Sequence, residues 1–152
     1  MLSKPNKMAK TQGWLGGIPF ILAAAISFSA DPALIMFSAE LASHYGLAII
    51  IFLGAVHWGI AMNGNVNAAP IRYIWSVMPA LMATLIMFLE PLPSLGLVIG
   101  LLVMCWIMDM LFHLNSAMPE WYIRLRHGLT MIAVGSVAIV SVQVSALGSI
   151  WP

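Results

Sequence analysis

Charged residues are scarce in this sequence. Only 7% of its 152 residues are Asp, Glu, Lys or Arg, whereas 62% are hydrophobic. An ordinary soluble domain carries about 25% charged residues, so a water-soluble globular domain is excluded. The few basic residues form no dense patch that would bind nucleic acid. The sequence therefore predicts an integral membrane protein whose partner is the lipid bilayer and which has no nucleic-acid partner.

Cysteine and catalytic motifs are equally sparse. The single cysteine, Cys105, lies inside an apolar run, so the chain has no Cys-rich metal site and can form no intramolecular disulfide. The sequence contains no CxxCH, HExxH or GxSxG motif. These absences predict no metal site and favour a protein that is not an enzyme, without deciding the question.

What the sequence does contain is a series of apolar segments separated by short polar loops. Each is long enough to cross about 30 Å of hydrocarbon at about 1.5 Å per residue. The segments are Trp14–Ala30, Tyr45–Met62, Ile71–Leu89, Ser94–Phe112 and Gly128–Ala146. We predict an all-α bundle of about five transmembrane helices, with residues 1–13 as a basic cytoplasmic tail and residues 14–152 as one domain. Residues 32–44 form either a separate surface helix or an extension of the second span.

The loop charges predict an orientation. Lys and Arg prefer the cytoplasmic side of short loops, and five spans place all six basic residues on one side of the membrane, namely Lys4, Lys7, Lys10, Arg72, Arg124 and Arg126. The opposite loops carry only Asp31, Glu40 and Glu90. The N-terminus is therefore predicted inside and the C-terminus outside.

Prolines and small residues predict where the helices bend and approach each other. Pro19 and Pro79 fall within the first and third spans, where a proline removes a backbone donor and kinks a helix. Small residues four positions apart allow close helix packing. Such pairs are Gly13 with Gly17, Ala55 with Gly59, and Gly96 with Gly100. Contacts within one bundle are the predicted use of these pairs.

Most polar residues of the spans fall near the inner end of the predicted bundle, and together they form the candidate site: His57, Trp58, Arg72, Asp109, His113 and Arg126. Asp109 is the most informative of them, because a carboxylate within the hydrocarbon needs a cation, a donor or water. The sequence favours Arg72 as its partner, with His57 and His113 as alternatives. Asp109 is then ionised.

Three interpretations of this cluster follow. The first is a polar clasp that ties helices together without any ligand. The second is a pocket that binds an anionic head group, a proton or a quinone-like molecule. The third is a b-type haem held by His57 and His113. The first is favoured, and no cofactor is predicted, with haem as the alternative.

Four sequence elements occur in a characteristic order: LGGIPF, FLGAVHWGIAM, RYIWSVMPAL and MPEWYIRLRHGLT. The set resembles a largely uncharacterised membrane-protein family that includes bacterial inner-membrane proteins and the mitochondrial transmembrane protein 69. The resemblance covers Trp14 to Val140. Its matching positions are Phe52, Leu53, Gly54, His57, Trp58 and Gly59, followed by Pro79 and by Trp121, Tyr122, Leu125 and Arg126.

The resemblance implies a multi-pass protein of the bacterial cytoplasmic membrane, or of the mitochondrial inner membrane if the source is eukaryotic. It implies no reaction, substrate or cofactor. With no catalytic set in the sequence, we predict a non-catalytic factor that binds or assists a larger membrane complex and has other membrane-protein subunits as partners. The alternative is a small transporter or binding protein that takes a lipid, quinone-like or anionic ligand through the inner-leaflet pocket.

Overall fold

The computed structural model describes residues 7–62, 69–115 and 120–150, and within these ranges the chain forms six α-helices. They are α1 (Lys7–Leu15), α2 (Ile18–Ile26), α3 (Pro32–Met62), α4 (Ala69–Ile86), α5 (Pro91–Asn115) and α6 (Glu120–Ile150). No β-strand occurs in the same ranges. The predicted all-α class is thereby confirmed for the described part of the chain.

Four of the helices are long and apolar enough to cross a membrane: Pro32–Met62, Ala69–Ile86, Pro91–Leu114 and Glu120–Gly148. They correspond to the predicted second to fifth spans. The helix α3 is continuous, so residues 32–44 extend the second span. Its 31 residues amount to about 46 Å at 1.5 Å per residue. The helix therefore tilts or projects beyond the hydrocarbon core.

The predicted first span, Trp14–Ala30, differs from the structure. Its residues belong to α1 and α2, which have nine residues each and are separately too short to cross a bilayer. The break lies at Gly16 and Gly17, and Pro19 follows in the first turn of α2, where its missing N–H is harmless. Residues 7–13 of the predicted basic tail are helical, because α1 begins at Lys7.

The two short helices nevertheless follow α6 in the same direction. A Cβ atom placed on Gly13 would meet Leu125, and one on Gly17 would meet Leu129 and Ile132. The N-terminal end of α1 therefore lies beside the start of α6, and α2 continues alongside the following turns. Together the two helices form a broken but unidirectional segment.

The helix α3 forms the centre of the bundle and packs against α2, α4, α5 and α6. The core around it is apolar and almost inaccessible, with Ile50, Leu95, Val98, Leu102, Val137 and Val140 among its members. The outer surface is apolar as well, since large side chains such as Phe88, Met131 and Leu85 are more than two-thirds exposed. An apolar exterior around an apolar core is what a lipid environment requires.

The glycines show which faces approach closely. Gly13 and Gly17 face α6, as their spacing predicted. The predicted close packing is not seen at Gly59, Gly96 or Gly100, because no described atom beyond the local helix backbone lies within 4 Å of a Cβ at these three positions. The helices α3 and α4 approach closely at Gly54, where a Cβ would lie 2.5 Å from the Ser76 carbonyl oxygen.

Candidate functional site

Four buried polar side chains meet at the end of the bundle where α3 and α5 terminate and α4 and α6 begin. His57 comes from α3, Arg72 from α4, Asp109 from α5 and Arg126 from α6. Each is at most 5% exposed. Every residue lies within two turns of a helix end, which explains why they share one depth. We call this group the four-helix polar chain.

Continuous hydrogen bonds connect the four-helix polar chain. Arg126 Nε donates to Asp109 Oδ2 at 2.5 Å, and His57 Nε2 lies 2.8 Å from Asp109 Oδ1. On the other side of the ring, Arg72 Nη1 lies 3.2 Å from His57 Nδ1. One residue from each of the four candidate spans is therefore tied to the next.

These contacts fix the protonation of His57. A guanidinium can only donate hydrogen bonds, so His57 Nδ1 must accept the bond from Arg72. The ring proton then resides on Nε2, which donates to the Asp109 carboxylate. His57 is therefore a neutral imidazole, and Asp109 accepts from two donors on different helices.

Arg72 is anchored at the end of α5 as well. Its Nη2 donates to the Phe112 carbonyl oxygen at 3.2 Å, and its guanidinium carbon lies 4.3 Å from the centre of the Phe112 ring. The Phe112 carbonyl is one of the last four of α5, which lack partners within the helix. Arg72 thus supplies a hydrogen-bond donor to a carbonyl at the C-terminal end of α5 and links α4 to α5.

The structure corrects the predicted partner of Asp109. Arg126 makes a direct ion pair with it, while Arg72 hydrogen-bonds to His57, the predicted alternative partner, which itself contacts Asp109. The reason is the packing of α4, which lies mainly against α3 and has few contacts with α5. The side chain of Arg72 therefore meets the α3 histidine before it can reach Asp109.

Two of the predicted site residues lie outside the polar chain. Trp58 is 45% exposed and packs edge-on against Tyr73, with 5.1 Å between ring centres. His113 makes no hydrogen bond to the polar chain within the described residues, and its buried Nδ1 has no partner there. The structure therefore brings together four of the six candidates.

A cavity of about 360 Å³ lies beside Arg126, between the segment α1–α2 and the helices α3, α5 and α6. We call it the α1–α6 cavity. Its walls are mostly apolar, and they include Phe20, Leu53, Leu102, Leu129 and Ala133. Its size falls at the lower end of the range of about 300–1,000 Å³ for ligand pockets.

Four residues that line the α1–α6 cavity carry a buried polar atom with no hydrogen-bond partner in the described part of the chain: Trp121 Nε1, Tyr122 Oη, Arg126 Nη2 and Thr130 Oγ1. Native proteins leave few buried polar atoms unsatisfied, and those that remain call for a water or a ligand. All four are on α6. Three of them recur every fourth residue, so they share one face of that helix.

Trp121, Tyr122 and Thr130 were not among the residues predicted for the site, although the spacing of four residues from Tyr122 through Arg126 to Thr130 is visible in the sequence. The arrangement contains no group of three or more His, Cys, Asp or Glu side chains that could hold a metal ion within the described ranges. Its chemistry is that of hydrogen-bond donors beside an apolar cavity.

Fold and site together define a small helical bundle with four apolar candidate spans, a buried polar chain at one end and an adjoining cavity. The chain belongs to the family described as "Protein of unknown function (DUF3429)", whose profile matches residues 5–142. This agrees with the uncharacterised membrane-protein family expected from the sequence. No curated protein and no solved structure matches the chain significantly.

Proposed function

We propose that this protein is a non-catalytic membrane protein that binds a small amphipathic molecule in the α1–α6 cavity. The observation that carries the proposal is the set of four buried polar atoms without partners on residues lining an otherwise apolar cavity. A buried polar group without a hydrogen-bond partner destabilises a membrane protein by roughly several kcal/mol where no water is present. A ligand with a polar head and an apolar body offsets that cost and fills the apolar space.

The surroundings of the cavity supply an access route. Phe52 lines the cavity and is 63% exposed on the surface of α3, so the space lies next to the lipid-facing surface. On the opposite wall, α1 carries Gln12 and Gly13 at the cavity. A molecule dissolved in the bilayer can therefore enter between α1 and α3 without crossing the core.

Filling the cavity with a larger side chain tests this function. Ala133 is buried and lines the cavity, whereas Ala55 is exposed on α3 and lies away from it. We expect Ala133→Leu to lose most of the bound small molecule after purification in native-lipid particles, and we expect Ala55→Leu to retain it. Native mass spectrometry measures the occupancy, and thermal unfolding shows whether Ala133→Leu is folded.

The outcomes of this experiment separate the candidate functions. Equal occupancy in the two variants contradicts the cavity as the site. Stoichiometric copurification of other subunits, with no small molecule retained by the wild type, would instead favour the accessory factor of a larger complex predicted from the sequence. A haem would reveal itself by a Soret band, and the proposal requires none, because both ring nitrogens of His57 are hydrogen-bonded.

The proposal includes a topology of five crossings, with the N-terminus in the cytoplasm and the C-terminus outside, in a bacterial cytoplasmic membrane or a mitochondrial inner membrane. The parallel course of α1–α2 and α6 supports it, since contacts of Gly13 and Gly17 advance along α6 in step. The positive charges of the loops support the orientation. We also propose that the family of this chain includes the mitochondrial transmembrane protein 69.

Reporter fusions test the topology. We expect a reporter before Met1 and one after His113 to report the cytoplasm, and reporters after Glu90 and after Pro152 to report the outside. The two ends of the chain therefore lie on opposite sides of the membrane. A result that places both ends on the same side would rule out a crossing by α1–α2 and leave four spans.

A further inference from the structure

Arg126 divides its hydrogen-bonding capacity between two directions. Its Nε donates to Asp109 Oδ2, whereas its Nη2 has no partner in the described part of the chain. The side chain is 6% exposed and Nη2 itself is buried, so bulk water does not satisfy this nitrogen. A guanidinium is a planar fork that can serve two acceptors at once. One edge of Arg126 is therefore available beside the cavity.

The neighbouring polar atoms on α6 have the same hydrogen-bonding character. The Trp121 Nε1 group can only donate, and the hydroxyls of Tyr122 and Thr130 can each donate one hydrogen bond. None of the three atoms has a partner among the described residues. A bound molecule that carries acceptor oxygens can therefore satisfy them together with Arg126.

The local charge favours an anion. The four-helix polar chain contains two guanidinium groups, those of Arg72 and Arg126, and one carboxylate, that of Asp109, while His57 is neutral. The nearest carboxylate along α6, Glu120, is 79% exposed. Buried charges are normally compensated by opposite charges. An anion in the cavity would lie beside Arg126, the member of this cluster that lines it.

We infer that the α1–α6 cavity binds the anionic head of an amphipathic molecule, a phosphate or carboxylate held by Nη2 of Arg126, with the donors of Tyr122 and Thr130 four residues to either side along α6. This inference rests on the proposed function and adds the chemistry of the head group. The anion leaves the Asp109 ion pair in place, because that pair uses Nε. The apolar part of the molecule lies along Phe52 towards the lipid.

The test compares lipid and free-anion sources on the full-length protein. The protein is placed in nanodiscs of phosphatidylcholine, with and without phosphatidylglycerol, and retained lipid is measured by native mass spectrometry. Inorganic phosphate is titrated calorimetrically into the phosphatidylcholine discs. Selective retention of phosphatidylglycerol assigns the site to a lipid head group, whereas binding of phosphate assigns it to a free anion; either result supports the inference.

The matched variants are Arg126→Lys and Arg124→Lys. Lysine at position 126 keeps a charge for Asp109 but has no planar fork to serve a second acceptor. We expect anion binding to weaken by about tenfold or more. Arg124 is 77% exposed, and its ion pair within the described ranges is with Glu120, so we expect Arg124→Lys to bind as the wild type does. Equal anion binding by the two variants contradicts the inference.

Two further variants keep the test decisive if Arg126→Lys does not fold. Tyr122→Phe and Thr130→Val each remove one donor without changing the side-chain shape much, and we expect each to weaken anion binding several-fold. Unchanged anion binding in both variants overturns the inference.

A short-chain ubiquinone analogue serves as a neutral probe that separates this inference from the proposed function. If the analogue binds, Ala133→Leu abolishes its binding and no anion binds, then the proposed function stands and the anionic head group is wrong. Absence of binding by every probe overturns both.

Discussion

Asp109→Asn is expected to destabilise the protein by about 3–5 kcal/mol, the range for breaking a buried ion pair by removing one partner. The carboxylate accepts hydrogen bonds from His57 and Arg126 on two different helices. An asparagine has one acceptor oxygen, so its amide group must face one of the two donors. The variant also leaves Arg126 without its charge partner. Unfolding in detergent measures the loss in the free energy of unfolding.

The structure makes this prediction specific, because it distinguishes the two arginines. Adding Arg126→Gln to Asp109→Asn is expected to recover at least about 1 kcal/mol, since contacting residues show coupling of about 0.5–3 kcal/mol. Adding Arg72→Gln is expected to recover less, because Arg72 hydrogen-bonds to His57 whereas Arg126 bonds directly to Asp109. Polar contacts between membrane helices average only about 0.6 kcal/mol. We therefore expect the coupling energy between Asp109→Asn and Arg72→Gln to lie near that value.

Arg124→Gln provides the control for the cycle. Arg124 is two residues from Arg126 but exposed, and its only ion pair in the described ranges is a 4.0 Å contact with Glu120. Its effect should therefore add to that of Asp109→Asn without coupling. If Arg72→Gln recovers more stability than Arg126→Gln, the connectivity of the four-helix polar chain is wrong.

Much of this architecture was predictable from the sequence because a bilayer imposes simple rules. Long apolar segments had to be helices, and the residues His57, Arg72, Asp109 and Arg126 had to gather near the helix ends. The predicted depth of the polar group followed from counting residues along each span. The structure places the four buried members of the candidate site at one end of the bundle, as that counting required.

The connections within the site were less predictable, because they depend on how each helix is rotated and which helix it packs against. Hydropathy does not show that α4 packs mainly against α3. Because of this packing, Arg126 and not Arg72 forms the ion pair with Asp109. The length of the first apolar segment also hid the break between α1 and α2, although Gly16, Gly17 and Pro19 were visible signals. Spacing alone likewise failed to show that Gly54 packs and Gly59 does not.

The contrast between these two glycines gives the second large prediction. A Cβ at Gly54 would lie 2.5 Å from the Ser76 carbonyl oxygen and 3.2 Å from Pro79 Cγ, whereas nothing described lies within 4 Å of one at Gly59. Backbone oxygen cannot rotate away as a flexible side chain can, so Gly54→Ala must push α3 and α4 apart. We expect a loss of about 1–3 kcal/mol, as for other overpacked cores.

Gly59→Ala is the matched control, since it adds the same methyl group to the same helix five residues later. It should leave the stability unchanged or raise it by up to about 1 kcal/mol, because alanine is the better helix former. Separation of α3 from α4 also lengthens the contact between His57 and Arg72, which is 3.2 Å in the native protein. Gly54→Ala should therefore lower the free energy of unfolding by less when Arg72→Gln is already present. If the effects of the two substitutions on the free energy of unfolding are strictly additive, the close approach at Gly54 and the four-helix polar chain are independent.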